Sequence, residues 1–233
     1  MINIFQQSSC GVEAIYKNNL FLNSFSVNDF HVLTIFWNLF LAFMPLIFLL
    51  LLREQYEKTG FKKISQKFKV IFIGTIAFLF LPNAPYVITD VRHLLGYCPA
   101  DSINQICLNN AWMVTFFFLY SFLGWLAYYY TMEEFFKLVK KLTREKIAKI
   151  YLFSIMPILS LGVLLGLFNR WNSWDIFIYP LEVIKSVLFY FTDLALFLNW
   201  LIFTLFLYLL YFIGKFLFVD IDLYELFKDR KSN

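Results

Sequence analysis

The sequence predicts an all-α fold, a polytopic transmembrane helix bundle of five spans plus one re-entrant or interfacial helix. Three observations predict it. The 233 residues are 61% hydrophobic and 22% aromatic but only 15% charged, whereas a soluble domain carries about 25% charged and about 45–50% apolar residues. Five stretches of about 20 residues hold no Asp, Glu, Lys or Arg, which is the length a hydrocarbon core of roughly 30 Å requires. The Lys and Arg residues gather in alternate connections between those stretches.

Residues 1–31 form an extracytoplasmic or interfacial arm, in which Cys10, Glu13, Lys17 and Asp29 interrupt short apolar groups. Neither a basic leader nor a continuous apolar core opens the chain, so no secretory signal is expected. Residues 32–214 form the bundle. Span one is 32–52 and contains Pro45; the basic segment Arg53–Lys69 follows. Span two, 70–89, ends in Leu81-Pro82-Asn83-Ala84-Pro85-Tyr86. Asp90–Asn110 is a polar loop with Gly96, Pro99 and two cysteines. Span three, 111–132, carries Trp112 at one end and Trp125, Tyr128, Tyr129 and Tyr130 towards the other, the pattern of an aromatic belt at both interfaces. A second basic loop, Glu133–Lys149, leads into span four, 150–168, whose Gly162-x-x-x-Gly166 is the spacing that lets helix backbones approach closely. Residues 176–191 are apolar but short, with Pro180, Glu182 and Lys185, and read as a re-entrant or interfacial helix. Span five is 194–214, with Asn199 inside; 215–233 is a mixed-charge, amphipathic tail.

Cytoplasmic loops of membrane proteins carry the excess of Lys and Arg. Five spans put sixteen of the 20 Lys and Arg on one side, in the two basic loops and the tail. The N-terminus is therefore expected outside and the C-terminus in the cytoplasm. The loops after Pro82 and after Phe168 then share the extracytoplasmic face.

Those two loops hold the polar motifs. Pro82 and Pro85 each lack an N–H and crowd the carbonyl four residues back, freeing Phe78 and Leu81. In lipid such a break survives only where protein or water satisfies it. On a helix resuming after Pro85, Tyr86, Thr89, Asp90 and His93 share one face. Asp90 and His93 at that spacing suit an acid–base pair; Thr89 or Asp90 equally suits an N-cap of a short helix Val91–Leu95. The second motif is Arg170-Trp171-Asn172-Ser173-Trp174-Asp175. Its Arg and Trp residues fit either a ligand site or an ordinary interfacial anchor. Ion pairs of Asp90 with Arg170, or of Asp175 with Arg92, would tie the loops together. The catalytic candidates are thus Asp90, His93 and Asp175, and the binding candidates Asn83, Tyr86, Thr89, Arg92, Arg170, Trp171, Asn172 and Trp174.

His31 and His93 are the two histidines of the chain. With Asp90 they make a weak set of metal candidates, since the paired-His spacing of a zinc motif is absent. No phosphate loop, Gly-x-Ser-x-Gly elbow or CxxC pair is present, so no cofactor is indicated. A basic, aromatic-interleaved soluble surface is also missing, which excludes nucleic acid as a partner. Cys98 and Cys107 share the outer loop, where a disulfide is chemically permitted.

At Leu81–Tyr86, Thr89-Asp90, His93-Leu94 and Arg170–Asp175 the chain resembles the domain of unknown function 1361 family over roughly residues 32–215. The resemblance implies a prokaryotic multi-span membrane protein and brings no catalytic assignment. Where the family pattern has an Arg soon after the glycine that is Gly166 here, this chain has Leu167, with Arg170 beyond. Three functions stand: an outer-face site binding or processing a lipid head group or lipid-linked envelope precursor; a non-enzymatic membrane subunit that stabilises an envelope complex; and a small-solute transporter. Membrane lipids and a membrane-protein partner are the partners these imply. The uncharged spans disfavour the transporter, because ion and substrate paths are usually marked by intramembrane charge.

Overall fold

The structure, a computed structural model, describes residues 26–27, 30–92 and 111–218. Eight helices stand among them: α1 (Val32–Thr59), α2 (Ile64–Phe80), α3 (Asn83–Thr89), α4 (Ala111–Leu142), α5 (Glu145–Phe168), α6 (Asp175–Ile178), α7 (Pro180–Thr192) and α8 (Leu194–Leu217). Ahead of them, Ser26–Val27 and Phe30–His31 make a two-residue antiparallel pairing, Val27 opposite Phe30. Five segments are long and apolar enough to cross a membrane: α1, α2 with α3, α4, α5 and α8. The chain is an all-α bundle with the five spans read from its sequence.

The helices outrun the uncharged stretches. At 1.5 Å per residue the 28 residues of α1 and the 32 of α4 reach about 42 and 48 Å, enough to cross the head-group layers as well. Both basic loops are therefore mostly helix, and their non-helical parts are the turns about Gly60 and Thr143. Counting uncharged residues finds the hydrocarbon portion, whereas the helix continues wherever backbone bonding and i,i+4 pairs such as Lys58–Glu54 (2.8 Å) sustain it.

The apolar short segment also differs in detail. It is two helices, α6 and α7, divided at Tyr179 by a proline at the start of α7. Thirteen residues of α7 give about 20 Å, well short of a crossing. Its Val183 and Tyr190 are buried, while Leu181, Ile184, Leu188 and Phe189 face outward.

α1 packs on α2, α3 and α4; α3 lies between α4 and α5; α8 rests on α5, α7 and α4. The outer surface is apolar, with Phe36, Ile71, Phe72, Phe118, Ile202 and Leu205 all exposed, as expected of helices that face acyl chains. The interior holds the polar contacts. Tyr128 and Tyr129 are buried, not placed in an interfacial belt as their sequence position suggested. Tyr128 donates to the Leu207 carbonyl at 2.9 Å, and Trp125 Nε1 to that of Leu210 at 3.0 Å. Aromatic residues with a polar tip look the same in sequence at an interface and between helices; here they join α4 to α8. Gly214 leaves room for the Tyr129 ring, which a Cβ there would strike.

Candidate functional site

The site begins with the break in span two. α2 ends at Phe80, Leu81 and Pro82 form the turn, and α3 starts at Asn83. The carbonyl that Pro82 frees, on Phe78, accepts from the Leu81 N–H at 3.2 Å. The Asn83 carboxamide donates to the Phe80 carbonyl at 3.0 Å. The freed Phe78 carbonyl is thus satisfied within the chain, as the absence of water in hydrocarbon demands.

Small residues hold α3 in place. A Cβ on Gly162 would lie 2.8 Å from Pro82 Cγ, and one on Gly124 would lie 2.9 Å from Val87. Gly162-x-x-x-Gly166 is therefore a packing face, and what it packs is the proline turn. Gly166 opens the next turn of α5 to the Tyr86 ring.

At the end of α5 the backbone turns through Arg170, which has φ +61°. Helices often end with a residue in this left-handed region, normally glycine. An arginine carries the steric cost of a Cβ there, about 1–2 kcal/mol. Trp171 N–H returns to the Leu165 carbonyl at 3.3 Å. Asp175 closes the turn: its buried carboxylate accepts from Asn172 N–H at 2.6 Å and from Asn172 Nδ2 at 3.2 Å. Trp171 Nε1 donates to Ser186 Oγ at 3.1 Å, which fastens the turn to α7.

The two motifs meet. Asn83 Nδ2 approaches Ser173 Oγ at 3.4 Å, and both line a cavity of about 570 Å³. Asn83, Tyr86, Arg170, Trp171, Asn172 and Trp174 border it, together with Gly162 and Gly166. Arg170 is the one charged side chain among the described lining residues. It forms no ion pair with a described carboxylate. Along α5 the lining runs from Ile155 to Gly166, roughly 16 Å at helical rise. Phe78, Ile158 and Ile176 line the cavity while also lying exposed on the apolar outer surface. Exposed apolar side chains of α2, α5 and α6 thus stand at the open part of the cavity.

Other predicted residues stand apart from the cavity. Asp90 is buried and accepts from Asn38 Nδ2 at 3.4 Å and from the Tyr120 hydroxyl at 3.2 Å, joining the end of span two to α1 and α4. Thr89 does not cap a following helix; its hydroxyl donates back to the Tyr86 carbonyl at 2.7 Å. Residues 90–92 form a single 3₁₀ turn. The rest of the expected helix Val91–Leu95 lies outside the described residues. Arg92 is half-buried and within electrostatic reach of Tyr86, as are Asp90 and Arg170. The expected pairing of Asp175 with Arg92 is replaced by the Asp175–Asn172 turn. His93, Cys98, Cys107 and the side chain of His31 lie outside the described residues, so the acid–base pair, the disulfide and the metal set are not placed. Among the described residues no group of three or more His, Cys, Asp or Glu is close enough to hold a metal.

Sequence reasoning missed the α1 wall of the cavity, Thr34, Trp37, Asn38 and Leu41, and the α7 wall, Val183 and Val187. The available signal was Asn38, a lone carboxamide in an otherwise apolar part of span one, whose donor reaches Asp90.

A family described as "Protein of unknown function (DUF1361)" matches residues 37–213, a stretch that contains the five spans almost whole and both polar motifs. No curated protein and no solved structure matches the chain.

Proposed function

The chain belongs to the DUF1361 family, and from that premise we propose that it is a multi-pass membrane protein whose lateral cavity binds a membrane lipid or lipid-linked envelope precursor, head group at the polar motifs. The observation that carries this reading is the cavity's graded lining: Arg170, Asn172 and Asn83 at one end, Phe78 and Ile158 opening onto the apolar surface at the other. A depth of roughly 16 Å matches half of a roughly 30 Å hydrocarbon core, one leaflet's worth of chain. Pockets with few convergent polar groups and apolar walls are the usual form of small-molecule sites. Binding is favoured over acid–base chemistry because Asp90 and Asp175 are both buried and do not line the cavity, being held behind its wall by hydrogen bonds from the lining residues Asn38 and Asn172. The bias of Lys and Arg supports an extracytoplasmic position for this end of the bundle. A reporter fused at the C-terminus is then expected to be active only if it is of the cytoplasmic type.

Lipid retention tests the proposal. The full chain, purified in a mild detergent, is expected to keep about one tightly held lipid by mass spectrometry. Val187→Trp, which fills the cavity from α7, is expected to lose that lipid while remaining monodisperse. Equal retention by the two proteins sinks the proposal.

A further inference from the structure

We infer that the head group taken by this cavity is anionic, a phosphate ester held by Arg170 with the hydroxyl of Ser173, which the Asn83 carboxamide orients. The inference rests on the lipid-binding reading above and adds the chemical class of the ligand.

Charge placement carries it. The two motifs contain two acids and two arginines, which in sequence reads as balanced. In space the acids and the arginines are placed unevenly about the cavity. Asp175 is folded beneath its own turn, bonded to Asn172. Asp90 is buried behind Asn38 and Tyr120. Neither acid lines the cavity, and Arg170 does. The polar end therefore presents a cation and neutral donors with no facing carboxylate among the described residues. A second guanidinium, that of Arg92, is within electrostatic reach of Tyr86 and of Asp90, and Asp90 feels Arg92 more strongly than Arg170, which leaves the Arg170 charge turned to the cavity. Two neighbouring charges interact more strongly as the surroundings lose water, so a cation at the mouth of an apolar cavity discriminates for anions. A guanidinium offers paired N–H donors that match a phosphate's oxygens.

Arg170 is also held where glycine would sit with less strain. An outlier of this kind is maintained by its surroundings and is commonly part of a site. It also makes a clean test, because Arg170→Gly removes the guanidinium and relaxes the backbone together.

The experiment uses the full-length protein in a non-ionic maltoside detergent, which carries no phosphate, supplied with equal small amounts of phosphatidylglycerol and diacylglycerol. The bound lipid is measured by native mass spectrometry. Phosphatidylglycerol is expected to be retained about tenfold better than diacylglycerol, the preference that one charge-assisted contact supplies. Arg170→Gln and Arg170→Gly are both expected to erase that preference, the first without changing thermal stability and the second with stability held or raised, and Arg170→Lys to keep part of it. Competition by glycerol 3-phosphate supports recognition of the phosphate without its chains; no competition, with the preference intact, supports a lipid-borne phosphate. Equal retention of phosphatidylglycerol and diacylglycerol overturns the anion assignment and leaves the lipid reading standing. Retention of neither lipid overturns the lipid reading itself. A preference that survives Arg170→Gly in a well-folded protein overturns the role of Arg170.

Discussion

The bundle carries polar groups at both ends, and the two ends treat them in opposite ways. At the end formed by the close of α1 and of α4, Arg53 meets Glu134. One guanidinium nitrogen contacts both carboxylate oxygens at 3.0 and 2.8 Å, and the side chains are only 5% and 2% exposed. At the end formed by the proline turn and the close of α5, Arg170 stands exposed on a cavity with no described carboxylate in ion-pair range. Both arginines lie just past an uncharged span in sequence. What separates a structural charge from a candidate binding charge here is whether the protein itself supplies the counter-ion.

The sharpest way to break this comparison is to remove the counter-ion at the sealed end. Glu134→Gln removes the buried carboxylate that Arg53 contacts at 2.8 Å and Lys137 approaches at 3.5 Å. Breaking a buried pair from one side costs about 3–5 kcal/mol, so a large fall in thermal stability in detergent is expected. Arg53→Met combined with Glu134→Met is expected to recover most of the loss, because a well-packed apolar pair is often neutral against a buried ion pair. A single variant that melts like the wild type would mean that the pair is hydrated and that the two ends are alike.

Next in size is the packing that shapes the open end. Gly162→Ala places a methyl 2.8 Å from Pro82 Cγ. Overpacking of a fitted contact costs about 1–3 kcal/mol. The turn has to shift, and the cavity wall with it, so lower stability and lower lipid retention are expected together. Gly74 has no atom within 4 Å of its would-be Cβ, and Gly74→Ala is the control that should leave both unchanged.

Asn83 tests the join between the motifs. Asn83→Ala removes the donor to the Phe80 carbonyl and the approach to Ser173. A net hydrogen bond is worth about 1 kcal/mol, and a buried acceptor left alone somewhat more. A modest loss of stability is expected with a larger loss of lipid retention. A loss of stability alone would place Asn83 in the repair of the helix break and not in the site.

These variants also mark what the sequence made legible. The five crossings were readable because hydrocarbon excludes charge so strongly that uncharged length reports them directly. The meeting of the two motifs followed from topology, since helices that alternate in direction bring the end of span two and the end of span four to one face. The fate of each acid did not follow. Asp90 and Asp175 have the composition of catalytic groups, but whether a carboxylate faces a cavity or its own backbone depends on a few side-chain torsions that spacing does not encode. Arg53 and Glu134 were illegible for a related reason: 81 residues apart and both in segments that read as basic loops, they meet only because α1 and α4 continue past the hydrocarbon. The α1 wall was hidden because Thr34, Trp37 and Leu41 carry no signal beyond membership of an apolar helix.

The smallest expected effect sharpens the comparison by holding chemistry fixed and changing the surroundings. Lys58 and Glu54 form an ion pair at 2.8 Å, as close as Arg53 and Glu134, but their side chains are 67% and 29% exposed. Water screens such a pair, and two long side chains lose freedom to hold it, so i,i+4 pairs contribute about 0.3–0.5 kcal/mol. Lys58→Ala is therefore expected to shift thermal stability hardly at all, and raising the salt concentration to shift it less than Glu134→Gln does. Arg53, Glu54 and Lys58 sit on the same helix, within two turns of one another. If Lys58→Ala proved as damaging as Glu134→Gln, burial would not be the variable that separates them, and the contrast drawn between the sealed pair and the open Arg170 would lose its physical basis.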